Sequence, residues 1–450
     1  MISSKCLCVV VALPICLVRP GFGAESFVKR KIEGFTVFVS SKAIAKAPAV
    51  TKQALAHMKQ QLFQITVALP PKAVSQLKRV PIWLAAGEKK LGIAFHPARS
   101  WLTGRGYKPP APKSLIGIVS GKHFLHEALR QPWLTFHELT HGYDWFTLGN
   151  LKQYGNQLNA DGYRQAMKSG KYKSALHWNS RRRKPYHATN KMEFFAETSE
   201  AFFGTNDIFP FVRAELRDHD PASYRMVAAL WGVNLADEHK REAELAKALT
   251  RPSRTVKQPG KKHSVLEIEG WQVWVDSTID AKRKPRLLRV LERDLHYVTR
   301  YIPPKSLTLL RKTKIWLSRD DGSAHVGRQR TSADIVVIGN AANYMRFASL
   351  QPSALLKQLA HLHYAKLSAK QRARWQESFV QRIKQKSYQR VLRFDGKRLP
   401  HPGLRHAKTM FAELSTTRFG TNDHFPFVTA ELKDIDPQGH KLLTEIWNGK

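Results

Sequence analysis

Phe203-Gly204-Thr205-Asn206-Asp207-Ile208-Phe209-Pro210-Phe211-Val212 returns later in the chain as Phe419-Gly420-Thr421-Asn422-Asp423-His424-Phe425-Pro426-Phe427-Val428, with one change in ten positions. The likeness runs on through Ala214-Glu215-Leu216 and Ala430-Glu431-Leu432, then Asp220-Pro221 and Asp436-Pro437, and ends at Trp231 and Trp447. Towards the N-terminus, Ile32-Glu33-Gly34-Phe35-Thr36-Val37 matches Ile268-Glu269-Gly270-Trp271-Gln272-Val273, and Ile82-Trp83-Leu84 matches Ile315-Trp316-Leu317. The apolar run Leu115 to Val119 answers Ile335 to Ile338. Each unit carries its own alternating strands and its own apolar helices, so the pattern predicts two similarly folded domains rather than a solenoid.

Within each unit the order is a strand, a long helical stretch, two or three short strands, then mostly helix, which predicts an α+β class. Pro132 to Leu148 has helical spacing of Trp133, Phe136, Leu139, Tyr143 and Trp145, with proline where a helix can begin. Met192 to Phe203 reads as a second helix closed by Gly204. The expected boundaries are 1–24 for an export signal, 25–236 for the first domain, 237–263 for a charged linker able to begin as a helical extension, and 264–450 for the second domain.

The export signal is read from Lys5, the apolar run Cys6 to Val18, and the small residues Gly23-Ala24 at a cleavage point. It implies a periplasmic, cell-surface or secreted location. All three cysteines lie in that segment, so the mature chain has no thiol for a disulfide or for zinc, and a metal must be held by histidine and carboxylate. No later stretch approaches the ~20 apolar residues of a membrane span. A formal charge of +39 attracts anionic partners without naming one, and no nucleic-acid recognition motif accompanies it.

His137-Glu138-Leu139-Thr140-His141 sits on the first predicted helix, where residues four apart share a face and both imidazoles can reach one ion. Read alone, the pattern also fits an amphipathic helix with two ordinary histidines. Glu193, Glu197 and Glu200 form a stripe on a helix otherwise walled by phenylalanine, which suits either a bound cation, pairing with Lys and Arg, or a solvated acidic face.

His-Glu-Leu-Thr-His followed by Tyr186-His187-Ala188-Thr189-Asn190-Lys191-Met192-Glu193-Phe194-Phe195-Ala196-Glu197 resembles the gluzincin zinc metallopeptidases of the anthrax lethal factor type. In that family a Tyr-x-x-Thr-Asn-x-x-Glu-Phe-Phe-Ala-Glu segment supplies the active-site tyrosine and the third zinc ligand. The resemblance implies a zincin-like fold with Zn2+ on His137, His141 and Glu193, Glu138 as general base, and Tyr186 near the substrate oxygen. It also implies Glu197 behind a ligand histidine, and matches Asp144 to an aspartate three residues after the second histidine. A peptide or protein substrate follows, but not its identity. Leu115 to Val119 is a candidate for strand pairing with that peptide, with a buried core strand left equally open. Arg181-Arg182-Arg183-Lys184 either selects an acidic substrate or forms a solvated loop. The rival reading is a non-catalytic binding protein for an anionic polymer.

The second unit sets Lys357, Gln358 and His361 against His137, Glu138 and His141, Thr409 against Glu193, Glu413 against Glu197, and Pro402 against Tyr186. A lysine in place of a ligand repels a cation, so this unit is expected to be metal-free. Because the Phe-Gly-Thr-Asn-Asp segment persists there, its expected role is structural: glycine closing one helix, Asn-Asp capping the next, phenylalanines packing beneath.

Overall fold

The computed structural model describes residues 26–87, 92–104, 108–110, 115–118, 120–149, 154–250, 263–319, 326–328, 335–384 and 386–450. The export-signal reading of 1–24 lies outside them. No helix among the described residues is long and apolar enough to cross a membrane.

The chain is a mixed α+β fold. In the first half β1 (Phe27–Ile32), β2 (Phe35–Ser40), β3 (Ile82–Leu84), β4 (Ile93–His96) and β5 (Leu115–Ile118) form a sheet of order β1-β2-β3-β5-β4, followed by a small hairpin of β6 (Ala175–Leu176) and β7 (Arg182–Arg183). In the second half β8 (His263–Ile268), β9 (Trp271–Asp276), β10 (Lys314–Leu317), β11 (Val326–Arg328) and β12 (Ile335–Ile338) take the order β8-β9-β10-β12-β11, and β13 (Val391–Leu392) pairs with β14 (Arg398–Leu399). In both sheets the first pair and the last pair are antiparallel and the two between are parallel.

The shared Ile-Glu-Gly is the turn of a hairpin, so a strand lies before it as well as after. Glu33 and Gly34 have φ of 50° and 85°, and Glu269 and Gly270 have 52° and 81°. Two successive left-handed residues are what a two-residue hairpin loop demands. Phe35, Val37 and Val39 then alternate into the core against Ala54, Met58, Leu62 and Ile65 of the helix Pro48–Ala68. Fully burying side chains of this size stabilises by about 1.5–3 kcal/mol each.

Leu134–Tyr143 is buried along its whole length, between the sheet and the helix Lys191–Phe203. Gly142 permits that approach, because a Cβ there would stand 2.9 Å from Val80 Cγ2. Phe136 and Phe195 pack around Trp231, whose indole N–H donates to Ser199 Oγ at 2.8 Å; in the second half Trp447 donates likewise to Ser415 at 2.9 Å. The helix read from Pro132 to Leu148 is shorter than expected: α-helical geometry ends at Tyr143 and Asp144–Leu148 forms a π-helical turn. The segment 237–263 does begin in a helix, Leu235–Thr250, which buries Leu245 and Glu242 and takes ion pairs from Arg213 and Arg217.

Of the two readings of Leu115 to Val119, sheet order selects the core strand. β5 is hydrogen-bonded on both sides, to β3 and β4, and among the described residues the edge on that side of the sheet is β4. The reading of Asn206-Asp207 as a helix cap is also overturned. Gly204 does close Lys191–Phe203, but the next helix, Arg213–His219, has no side-chain cap, and Asn206 instead bridges its own loop, donating to the Ile208 carbonyl at 2.8 Å.

That loop faces its counterpart. Thr205 and Thr421, at the same place in the two halves, share a hydrogen bond of 2.7 Å. Arg182 pairs with Asp434 at 2.8 Å, and Arg398 with Asp218 at 2.6 Å, which is the same contact with the halves exchanged. Leu176, Phe211, Val212 and Ala214 form one apolar cluster with Leu392, Phe427, Val428 and Ala430. At its centre the buried Glu215 and Glu431 accept from the Phe211 and Phe427 N–H groups at 2.8 and 2.7 Å and hydrogen-bond each other, and burial raises both above the usual carboxylate range. Residue i meeting j while j meets i is the pattern of a two-fold, isologous contact, here inside one chain.

Candidate metal centre

On Leu134–Tyr143 the rings of His137 and His141 lie one turn apart, with centroids 4.9 Å from each other. The third group comes from the facing helix. Asn190 accepts from the N–H groups of Met192 and Glu193 at 2.9 and 3.0 Å, a cap that starts the helix Lys191–Phe203 and fixes Glu193 in its first turn. Glu193 Oε2 then lies 3.1 Å from His137 Nε2 and 3.3 Å from His141 Nε2. Ligands about 2.0–2.1 Å from a tetrahedral ion are separated by about 3.3 Å, so both separations from Glu193 and the N/N/O donor set fit a metal ion such as zinc.

The charges agree with that fit. Burial acts to lower the pKa of His137, but the flanking Glu193 and Glu200 carboxylates outweigh it and hold the ring well above its usual value. Glu193 is held well below the carboxylate range by the two imidazoles, against the effect of burial. Positive charge is therefore stabilised at the point where the three donor atoms converge.

The hydrogen bond expected from a ligand histidine to Glu197 goes elsewhere. His137 Nδ1 meets Glu200 Oε1 at 2.6 Å, and Gln131 donates to the same oxygen at 2.7 Å, an arrangement that turns Nε2 towards the ion position. Glu197 is buried one turn earlier, raised well above its usual range by burial and by the nearby Asp207 and Glu200. Asp207 shares this environment and is pushed up to about 7, first by burial and then by Glu200. Asp144 lies apart from the ligand group, buried at the start of the π-helical turn, contacted by Asn159 Nδ2 at 3.4 Å and lifted to about 6 by burial.

Glu138 is buried next to the ligands, and its Oε2 accepts the Phe95 N–H at 2.5 Å. Burial raises its pKa, opposed by both histidines and by that N–H. Since Phe95 turns its N–H away from β5, strand alternation directs the polar groups of Ile93 outwards as well. Tyr186 is 51% exposed and donates to Glu193 Oε1 at 3.2 Å. Burial and then Glu193 push it up to about 12, so it keeps its proton at neutral pH.

No family model, curated protein or solved structure matches this chain. Its chemistry is read from the geometry. The His137-Glu138-x-x-His141 cluster on one helix is a zincin-like catalytic motif with a plausible metal-coordinating site. It opens into a cleft of about 820 Å³, walled by Ile93, Phe95, His96, Tyr154, Tyr186 and Met192. Gln131, His177 and the β4 edge carried no signal in the sequence and converge only in three dimensions, and Asp207, expected to cap a helix, lines the same cleft. Glu200 had a signal, its place on the Glu193 face.

In the second half, Lys357 Nζ lies 3.0 Å from both Glu413 Oε2 and Asp423 Oδ2. Among the described residues no group of three His, Cys, Asp or Glu donors converges there.

Proposed function

We propose that this protein is an exported zinc metallopeptidase of the gluzincin type that its motifs resemble. The observation that carries the reading is the convergence of His137 Nε2, His141 Nε2 and Glu193 Oε2 beside a buried Glu138 in an open cleft. When bound, zinc supplies a Lewis acid that polarises a carbonyl and brings the pKa of water to about 7. Glu138 takes the proton of the attacking water and returns it to the leaving amine, from a buried position beside the three donor groups. Tyr186 retains its proton and turns from Glu193 to donate to the carbonyl oxygen as negative charge develops. The open edge of β4 takes the substrate as an added strand through Ile93 and the Phe95 carbonyl.

Residues 25–236 are then the catalytic domain, and 264–450 a metal-free copy joined through 237–263. Supporting this are the equal strand order of the two sheets and the Lys357 ammonium between two buried carboxylates. The test is metal analysis with peptide-library cleavage by native protein and Glu138→Gln. One zinc per chain is expected in both, with cleavage reduced about 10²–10⁴-fold in the variant. Stoichiometric zinc with equal cleavage by the two proteins defeats the reading. The charge of +39 favours a second reading, non-catalytic binding of an anionic polymer, selected by salt-dependent retention on heparin without proteolysis.

A further inference from the structure

We propose that the cleft contains a carboxylate-binding subsite formed by the Arg183 guanidinium, which His177 holds in place, so that the substrate presents a carboxylate, from an acidic side chain or a free C-terminus, beside the bond that is cut. The inference rests on the hydrolase reading and adds to it the class of substrate.

Both residues line the same cleft as the metal-site residues. Arg183 ends β7, and its Nε donates to His177 Nδ1 at 3.1 Å. That bond fixes the plane of the guanidinium and leaves its two Nη groups, the fork that matches a carboxylate. No carboxylate among the described residues pairs with Arg183, although Asp207 on the same wall is near enough to feel its charge.

His177 holds the guanidinium in place. Burial, then the adjacent Arg183, keeps its pKa below the usual value, and its ring is itself held by the backbone of Lys184 and Arg183 as well as by the Arg183 Nε–H.

The second half supplies an internal comparison. β6 pairs Ala175 with Arg183, and β13 pairs Val391 with Leu399, so a leucine stands where the first hairpin has arginine. Where His177 bridges to Ile208, Arg393 bridges to His424, and Arg393 is closed off by Asp395 at 2.5 and 2.8 Å. The hairpin therefore folds without an arginine at this place. Arg182, one residue earlier, is engaged with Asp434 in the contact between the halves, as Arg398 is with Asp218. Among the described residues of the two hairpins, Arg183 has no carboxylate partner, whereas Arg182, Arg393 and Arg398 each have one.

The experiment uses fluorogenic peptides in matched pairs, Asp against Asn and Glu against Gln at each position flanking the scissile bond, and a free against an amidated C-terminus. The zinc-loaded full chain is compared with Arg183→Leu, Arg183→Lys and the exposed control Arg181→Leu, following both cleavage and binding by fluorescence anisotropy. Native protein is expected to favour one carboxylate member by about tenfold or more in kcat/KM, and the pair that responds identifies the source. Arg183→Leu should abolish the ratio with zinc content unchanged, Arg183→Lys should retain part of it, and Arg181→Leu all of it. Cleavage without a carboxylate preference, or a preference unchanged in Arg183→Leu, overturns the subsite while the hydrolase stands. If no peptide is cut, the same ratio in binding, lost in Arg183→Leu, sustains the subsite and removes the hydrolase; its absence overturns both.

Discussion

Replacing Lys357 by methionine should unfold the second half far more readily. The ammonium is buried and lies 3.0 Å from two carboxylates, Glu413 and Asp423, and Asp423 also accepts from Gln351 at 2.8 Å. Methionine preserves the volume and removes the charge, leaving two buried carboxylates facing each other. Breaking a buried pair from one side costs about 3–5 kcal/mol. At about 2–4 °C per kcal/mol for a unit of 150–250 residues, the melting temperature should fall by about 6–20 °C. The loss has a pH signature. Burial acts to raise the pKa of Asp423, but Lys357 outweighs it and holds the group below its usual value. The stability this contributes is present above the unfolded pKa of about 3.9 and is lost as pH falls through the depressed folded value. Native protein should therefore lose stability below about pH 4 while the variant, in which Asp423 has lost the charge that held its pKa down, recovers relative to it. Urea unfolding at pH 4 and pH 7 measures both. A difference under about 1 kcal/mol at pH 7, or an equal difference at the two pH values, refutes the reasoning. Adding Glu413→Gln to the variant should restore part of the loss.

Glu200→Gln weakens the acceptor that orients His137, and zinc affinity measured by chelator competition should drop about 10–100-fold; unchanged affinity would show that the 2.6 Å contact is incidental. Tyr186→Phe should lower kcat about 10²–10³-fold with zinc retained, and a change in KM alone would place the hydroxyl in ground-state binding instead. Glu431→Gln should match native protein at pH 5 and exceed it by about 1 kcal/mol at pH 9. The folded pKa of Glu431 is raised, so stability complete below about pH 4.3 declines as pH rises through the folded value, whereas the amide keeps a donor for Glu215 throughout. Denaturant melts at the two pH values decide it, and a less stable variant at pH 9 contradicts it.

Features set by spacing along one helix were legible in the sequence. His137 and His141 share a face because they are four residues apart, and Glu193 falls on the helix read from Met192 to Phe203, which the structure places at Lys191–Phe203. Features set by the crossing of two elements were not. Glu197 and Glu200 lie on the same stripe, and only the angle between Leu134–Tyr143 and Lys191–Phe203 decides that Glu200 reaches Nδ1. The placing of β4 at the edge is likewise a matter of sheet order, since Ile93–His96 is four residues long and alternation cannot tell an edge from a centre. Asparagine is equally at home capping a helix and bridging a tight loop, and spacing cannot tell the two apart; Asn206 takes the second role, on the Ile208 carbonyl.

The mirrored contacts at Thr205–Thr421, Glu215–Glu431 and the two Arg–Asp pairs lie within a single polypeptide. Between separate subunits, an association of this kind would dissolve on dilution, and its occupancy would follow protein concentration. Here the tether sets an effective concentration independent of how many molecules are in solution. The half that carries the His137, His141 and Glu193 cluster therefore keeps its partner as a lone molecule at any dilution, where a homodimer with the same interface would have come apart.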